Sequence, residues 1–145
     1  MRHAKWPVKT LVAVVGVVAL ALGAGALGQA QPGLSGEYKI GVLEPLTGNL
    51  AAEGKRHLEG MEIMRDLINE RFGGVMGKKL TFVVGDAVDP TVAASEATRL
   101  ATQGGVKIIT GTFSSTLCGA ASEAAARQNV IYWETSCVDP RLTKR

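Results

Sequence analysis

The stretch VKIITGTFSSTLCGAASEAAARQNVIYWETSCV, residues 106–138, decides the fold. Its first five residues, VKIIT, have the length and β-branched composition of a strand. Gly111 follows, and then a polar hinge, Thr112-Phe113-Ser114-Ser115-Thr116. An alanine-rich segment to about Gln128 reads as a helix, and 130–134 (VIYWE) as a second strand. Strand, loop, helix and strand in that order make one unit of an α/β sheet. The hinge sets hydroxyls and free backbone N–H groups at a helix N-terminus. Such an end favours an anion, because its unpaired donors and its dipole both point the same way. Ligands of open α/β sheets gather just beyond the carboxyl ends of the strands, so this hinge is the expected rim of a site.

The same alternation runs upstream. Residues 39–43 (KIGVL) form a near-continuous apolar strand, as a sheet covered on both faces requires. Residues 45–54 (PLTGNLAAEG) make a rim loop and the start of a helix. Leu58, Met61, Met64, Leu67 and Ile68 fall on one helical face, with Glu59, Glu62, Arg65 and Asp66 opposite. The Met61/Met64 pair reads as core, and His57 as a surface residue of a charged first turn. Gly73-Gly74 suits the left-handed end of that helix. Residues 80–84 (LTFVV) form the next strand, and DAVDP (86–90) supplies Asp89 as an N-cap with Pro90 at the first helical position. Val92, Ala93, Glu96, Ala97, Leu100 and Ala101 carry that helix to Gly104-Gly105. The fold class is therefore α/β, a doubly wound (Rossmann-like) parallel sheet with right-handed crossovers. Asp139-Pro140 and Leu142 read as the start of another element, so the chain reads as a fragment.

The formal charge of +3 comes from the N-terminus, where Arg2, Lys5 and Lys9 meet no acid. Beyond it the chain carries 13 basic and 13 acidic residues, which argues against a nucleic-acid surface. Residues 1–30 read as a signal peptide: a positive start, an apolar run over 10–27, and small residues at Ala26, Gly28 and Ala30. The alternative is an uncleaved anchor, as the run is close to the roughly 17–18 residues a span needs. Residues 31–37 form a loose lead-in. Cys118 and Cys137 match no zinc spacing. They lie near the rim ends of adjacent strands, where a disulfide and two small buried thiols are both open.

The ordered set KIGVLEPLTGNLAAEG, a helix ending in GG, a strand running into DAVDP, then GTFSS and VIYWETS resembles one family. It is similar to the periplasmic substrate-binding proteins of ABC importers, in their branched-chain amino acid (Leu/Ile/Val) branch. The resemblance spans nearly all of 38–142. It implies two α/β lobes that close on a ligand, with residues 38–145 forming part of the first. It also implies a periplasmic or extracytoplasmic place and ABC permease subunits as membrane partners. By the resemblance, Ser115 carries the hydroxyl that grips the ligand carboxylate, helped by N–H groups from Ser114 to Thr116. Ser136 offers its carbonyl to the ligand ammonium. Val138 stands where the family has a threonine, and so lacks that side-chain contact. Glu53 matches a large residue that covers the ligand, although an acid there also suits a helix start. Glu134, at the end of a strand, needs a partner or an open cleft.

The implied ligand is an amino acid, an amide or a small organic acid, and no cofactor or metal is expected. Catalysis is disfavoured on motif grounds. Glu44-Pro45-Leu46-Thr47-Gly48-Asn49 is not the glycine fingerprint of a dinucleotide site. Gly111-Thr112-Phe113-Ser114-Ser115 is not a serine-hydrolase elbow. The alternative within the same fold is a ligand-sensing domain that regulates a partner protein.

Overall fold

A computed structural model of the protein describes residues 34–143. The proposed signal peptide and residues 31–33 of the lead-in lie outside the described residues. Four strands form one parallel sheet: β1 (Glu37–Glu44), β2 (Lys79–Asp86), β3 (Ile108–Gly111) and β4 (Ile131–Trp133). Three helices connect them: α1 (Ala51–Arg71), α2 (Pro90–Thr102) and α3 (Ser115–Arg127). Short 3-10 turns at Gly48–Leu50 and Pro140–Thr143 complete the order, the second where the sequence suggested a further element. The expected α/β class is the observed one.

The strand order is β2-β1-β3-β4. The chain leaves β1 toward one edge and returns on its other side, so the order reverses between β1 and β3. That reversal opens a crevice at the carboxyl ends of the two strands.

Alternation along each strand sorts residues to the two faces. Leu43 and Ile109 face α2 and α3, packing with Leu100, Ala93, Ala97, Leu117, Ala121 and Ala125 in one buried cluster. Burying Leu43, Leu100 and Ile109 completely contributes roughly 1.5–3 kcal/mol each. The small alanines of α2 and α3 let the two helices lie close on that face. Helix α2 starts as expected: Asp89 accepts a hydrogen bond from the Val92 amide at 2.9 Å, and Pro90 follows it.

Helix α1 lies against β1 and β2 on the other face. Its approach to the rim needs glycine at position 54, where a Cβ would meet the Pro45 carbonyl oxygen at 2.1 Å. The helix ends at Arg71, and the chain turns through Gly73 and Gly74. The expected core role of the Met61/Met64 pair is corrected. Met64 is about half exposed, and with Met61 it borders an open apolar groove shared with Ile40, Phe82, Thr110 and Trp133. The groove is open among the described residues, because α1 packs mainly on β1 and β2. Trp133 is exposed for the same reason. The opposite helix face is not wholly solvated either: the Arg65 guanidinium lies over the Phe82 ring at 5.2 Å.

Candidate functional site

The rim is built from the ends of all four strands. The first loop, after β1, is fastened by Asp86 at the end of β2. Its carboxylate accepts from the Leu46 amide at 2.8 Å and from the amide and hydroxyl of Thr47. The hinge after β3 begins with Thr112, which is fully buried and donates its hydroxyl to the Cys118 sulfur at 3.3 Å.

The two serines of the hinge divide their work. Ser114 is the N-cap of α3, and its Oγ accepts from the Leu117 amide. Ser115 Oγ accepts from the amides of Val138 and Asp139, at 3.1 and 3.3 Å. Its hydroxyl therefore tethers the loop that follows β4 and keeps only its own proton to donate. Thr116 is exposed. As first-turn positions, Ser115 and Thr116 have backbone N–H groups without intrahelical acceptors. Ser115 and Thr116 border an open groove of about 430 Å³ with Gly119, Asp139 and Arg141.

Ser136 borders a different groove, of about 460 Å³, between α1 and the β4 loop. Arg56, His57, Gly60, Met61 and Thr135 share it. The residues singled out in the sequence thus gather along one rim but on two sides of the segment 136–139. Val138 is strongly exposed at its crest. Glu53 pairs with Arg56 at 3.2 Å. Glu134 has the partner its burial demanded: Oε2 accepts from the Cys137 amide at 2.9 Å.

Cys118 and Cys137 are joined in a disulfide, with Cα atoms 6.5 Å apart. It pins the β4 loop to the first turn of α3. Tyr132 sends its hydroxyl to the Cys118 sulfur, and burial pushes that phenol up to about 12, so it stays a donor. Glu134 lies near both sulfurs. Sulfurs shared in a disulfide are not the thiolates a metal centre would need.

One pair was missed in the sequence. Glu44, the last residue of β1, is fully buried at the crevice, and neither carboxylate oxygen has a hydrogen-bond partner among the described residues. Beside it lies His57 of α1, whose Nδ1 is 3.7 Å from Oε1. The surface role expected for His57 is corrected: the ring is half-buried and stands edge-on to Phe113 of the hinge, with centroids 5.4 Å apart. The signal was present. His57, Met61, Met64 and Ile68 follow the helical repeat that faces the sheet.

Burial raises the Glu44 carboxyl from its ordinary 4.5 to about 7. The consequence for stability has a definite sign. Below pH 4.5 both folded and unfolded chains hold the proton, and folding keeps its full stability. Between about 4.5 and 7 the unfolded chain ionises first, so stability falls as pH rises. A shift of this size corresponds to about 3 kcal/mol. Denaturant titrations of the full-length protein at pH 5 and pH 8 should show this loss, and Glu44→Gln should remove it. Equal pH slopes in both proteins would contradict the assignment.

The chain resembles known proteins in sequence and in fold. The model of the periplasmic binding protein family matches residues 37–144. Leu/Ile/Val-binding protein homolog 7 of Brucella suis biovar 1 (strain 1330) is 40% identical over 126 residues, covering 87% of this chain and 31% of the relative. Homolog 8 of Brucella abortus (strain 2308) is 38% identical over 109 residues, covering 75% of this chain and 27% of its own length. Among solved structures, the branched-chain amino acid transporter substrate binding protein LivJ from Streptococcus pneumoniae, in complex with isoleucine, matches with a TM-score of 0.71 at 33% identity. That match covers 74% of this chain and 31% of the other. The leucine binding protein LivK from Thermotoga maritima matches with a TM-score of 0.66 at 28% identity, over 74% of this chain and 30% of that one. The chain therefore spans about a third of the length of these relatives. With nearly all of the described residues matched by that model, the chain belongs to the periplasmic binding protein family.

Proposed function

We propose that the chain forms the first part of an extracytoplasmic solute-binding protein that captures an amino acid or a similar small carboxylate for an ABC permease in the membrane. In this reading residues 1–30 direct export, 31–37 lead in, and 38–145 build part of the first lobe. The observation that carries it is the start of α3. That helix opens its N-terminus on the carboxyl edge of a parallel sheet, with the amides of Ser115 and Thr116 free of intrahelical acceptors.

A carboxylate seated there would receive these amides and the remaining proton of Ser115. Ser114 holds the helix end in shape, and the Ser136 carbonyl would take the ligand ammonium across the loop. Val138 contributes no polar side chain, and its amide is already given to Ser115. Glu53, held by Arg56, would stand over the ligand as its cover. Capture of this kind needs preformed donors and closure around the guest, with no catalytic base. Relatives named for leucine, isoleucine and valine support branched-chain amino acids as the first solutes to try.

The test is a thermal-shift screen of the full-length protein against amino acids, amides and small organic acids. Micromolar capture corresponds to about −8 kcal/mol, and ligand at a hundred times the dissociation constant adds about 2.7 kcal/mol of stability. Ser115→Ala should weaken the best ligand roughly tenfold, the effect of one hydrogen bond to a charged group. A screen in which no compound raises the midpoint would end the proposal.

A further inference from the structure

We propose that His57 is a ligand-contacting residue of the groove beside Ser136, and that the buried Glu44 sets whether its outer ring nitrogen donates or accepts a hydrogen bond. The proposal rests on the solute-binding reading, which it deepens. Three observations carry it. Glu44 is completely buried with both oxygens unpartnered among the described residues. His57 turns Nδ1 toward it at 3.7 Å, just beyond hydrogen-bond reach. The same ring lines the groove that holds Ser136 and Thr135, and it touches Phe113 of the hinge.

An imidazole with Nδ1 facing a carboxyl has Nε2 on its far edge, away from the buried acid. When Glu44 holds its proton, the O–H points to Nδ1, and the ring carries a hydrogen on Nε2. The groove then meets a donor. When Glu44 gives its proton to solvent, the carboxylate draws the ring hydrogen to Nδ1, and Nε2 becomes an acceptor. One proton leaves the pair in all, and one moves between the ring nitrogens through solvent. The groove thus changes its hydrogen-bonding sense.

The surrounding groups leave this pair to itself. Asp86 lies opposite Glu44 in the strand pairing, and its carboxylate is taken by Leu46 and Thr47. Tyr132 of β4 is held neutral by burial. Glu134 binds the Cys137 amide, and Arg56 pairs with Glu53. Among the described residues no lysine or arginine pairs with Glu44. Burial places the Glu44 titration near neutrality, where the change would be felt.

The acceptor form suits an ammonium. It would join the Ser136 carbonyl around the amino group of an α-amino acid, so capture should tighten as Glu44 ionises. The first arm needs no ligand. Full-length protein labelled with 15N-histidine is followed by long-range proton–nitrogen correlation from pH 5 to 9, with the His57 signal identified by its loss in His57→Gln. The expected result is exchange from the Nε2–H to the Nδ1–H tautomer near pH 7, abolished in Glu44→Gln. A His57 ring that keeps one neutral tautomer across this range in the native protein would overturn the inference, whether or not the variant folds. The second arm measures L-isoleucine binding at pH 6 and pH 8. Binding should be about three- to tenfold tighter at pH 8, and Glu44→Gln should flatten the difference. Isoleucine bound with the same pH dependence in both proteins would refute the ligand contact and leave solute capture standing. Tautomer exchange in a protein that binds no compound of the solute screen would uphold the proton pair and refute capture itself.

Discussion

Gly111→Ala is expected to cost about 4 kcal/mol or more of folding stability, the largest loss from any single methyl group at this rim. Two independent costs fall on the same residue. Its φ of +115° lies in a region that an alanine occupies only under strain. The added Cβ would also sit 2.0 Å from the Leu43 carbonyl oxygen and 2.9 Å from its carbon. Those are backbone atoms of β1, paired in register with Gly111, so no side chain can swing aside. Relief requires β1 and β3 to part at the point where the strand order reverses. Leu43, Ile109 and Leu100 would lose packing together, which is how a single substitution enters the tail above 4 kcal/mol. Gly60→Ala is the matched control. Its Cβ meets nothing within 4 Å on α1, and a helical alanine should stabilise by roughly 0.5–1 kcal/mol. Denaturant midpoints of the two variants of the full-length protein should move in opposite directions. A Gly111→Ala protein within 1 kcal/mol of the parent would mean that the two strands are not held this closely.

The architecture was legible because its signals are local. Asp89-Pro90 marks a helix start, Gly73-Gly74 a helix end, and VKIIT a strand, each within a few residues. The strand order was not legible, since it depends on which side of β1 each crossover returns. At the site, the hinge 112–116 was found from composition, yet its adjacent serines could not be told apart. Either one can cap a helix, and only the returning loop at Val138 and Asp139 assigns the tether to Ser115. Glu134 was recognised as an acid at a strand end in need of a partner. The same reasoning applies to Glu44, which ends the apolar run KIGVLE in the same way. It went unread because its partner lies on α1, where His57 was placed by its charged neighbours rather than by its phase with Met61 and Ile68. A residue's face on a helix is set by periodicity, and local charge is a poor guide to it.

Removing the Cys118–Cys137 disulfide is expected to lower stability by about 3 kcal/mol. The bridge spans 19 residues of sequence, and closing a loop of that length in the unfolded chain gives a loss of this order. Its native position adds a functional consequence. One end is the buried first turn of α3, and the other is the loop that carries Ser136 and Val138. With the bridge gone, the hydrogen bonds that hold that loop among the described residues include those to the Ser115 oxygen and the Glu134–Cys137 bond, each a net contribution of about 1 kcal/mol. Both sides of the proposed ligand seat would then fluctuate independently, and ordering them would be charged to binding. The double variant Cys118→Ala/Cys137→Ala should melt roughly 6–12 °C lower than the oxidised protein. Reduction of the parent by dithiothreitol should reproduce most of that drop. Binding of the best ligand should weaken in the same samples, because the lost constraint lies between the two halves of the rim. An unchanged midpoint and affinity on reduction, with two free thiols found by alkylation, would show that the hinge and the β4 loop hold their places without the covalent link.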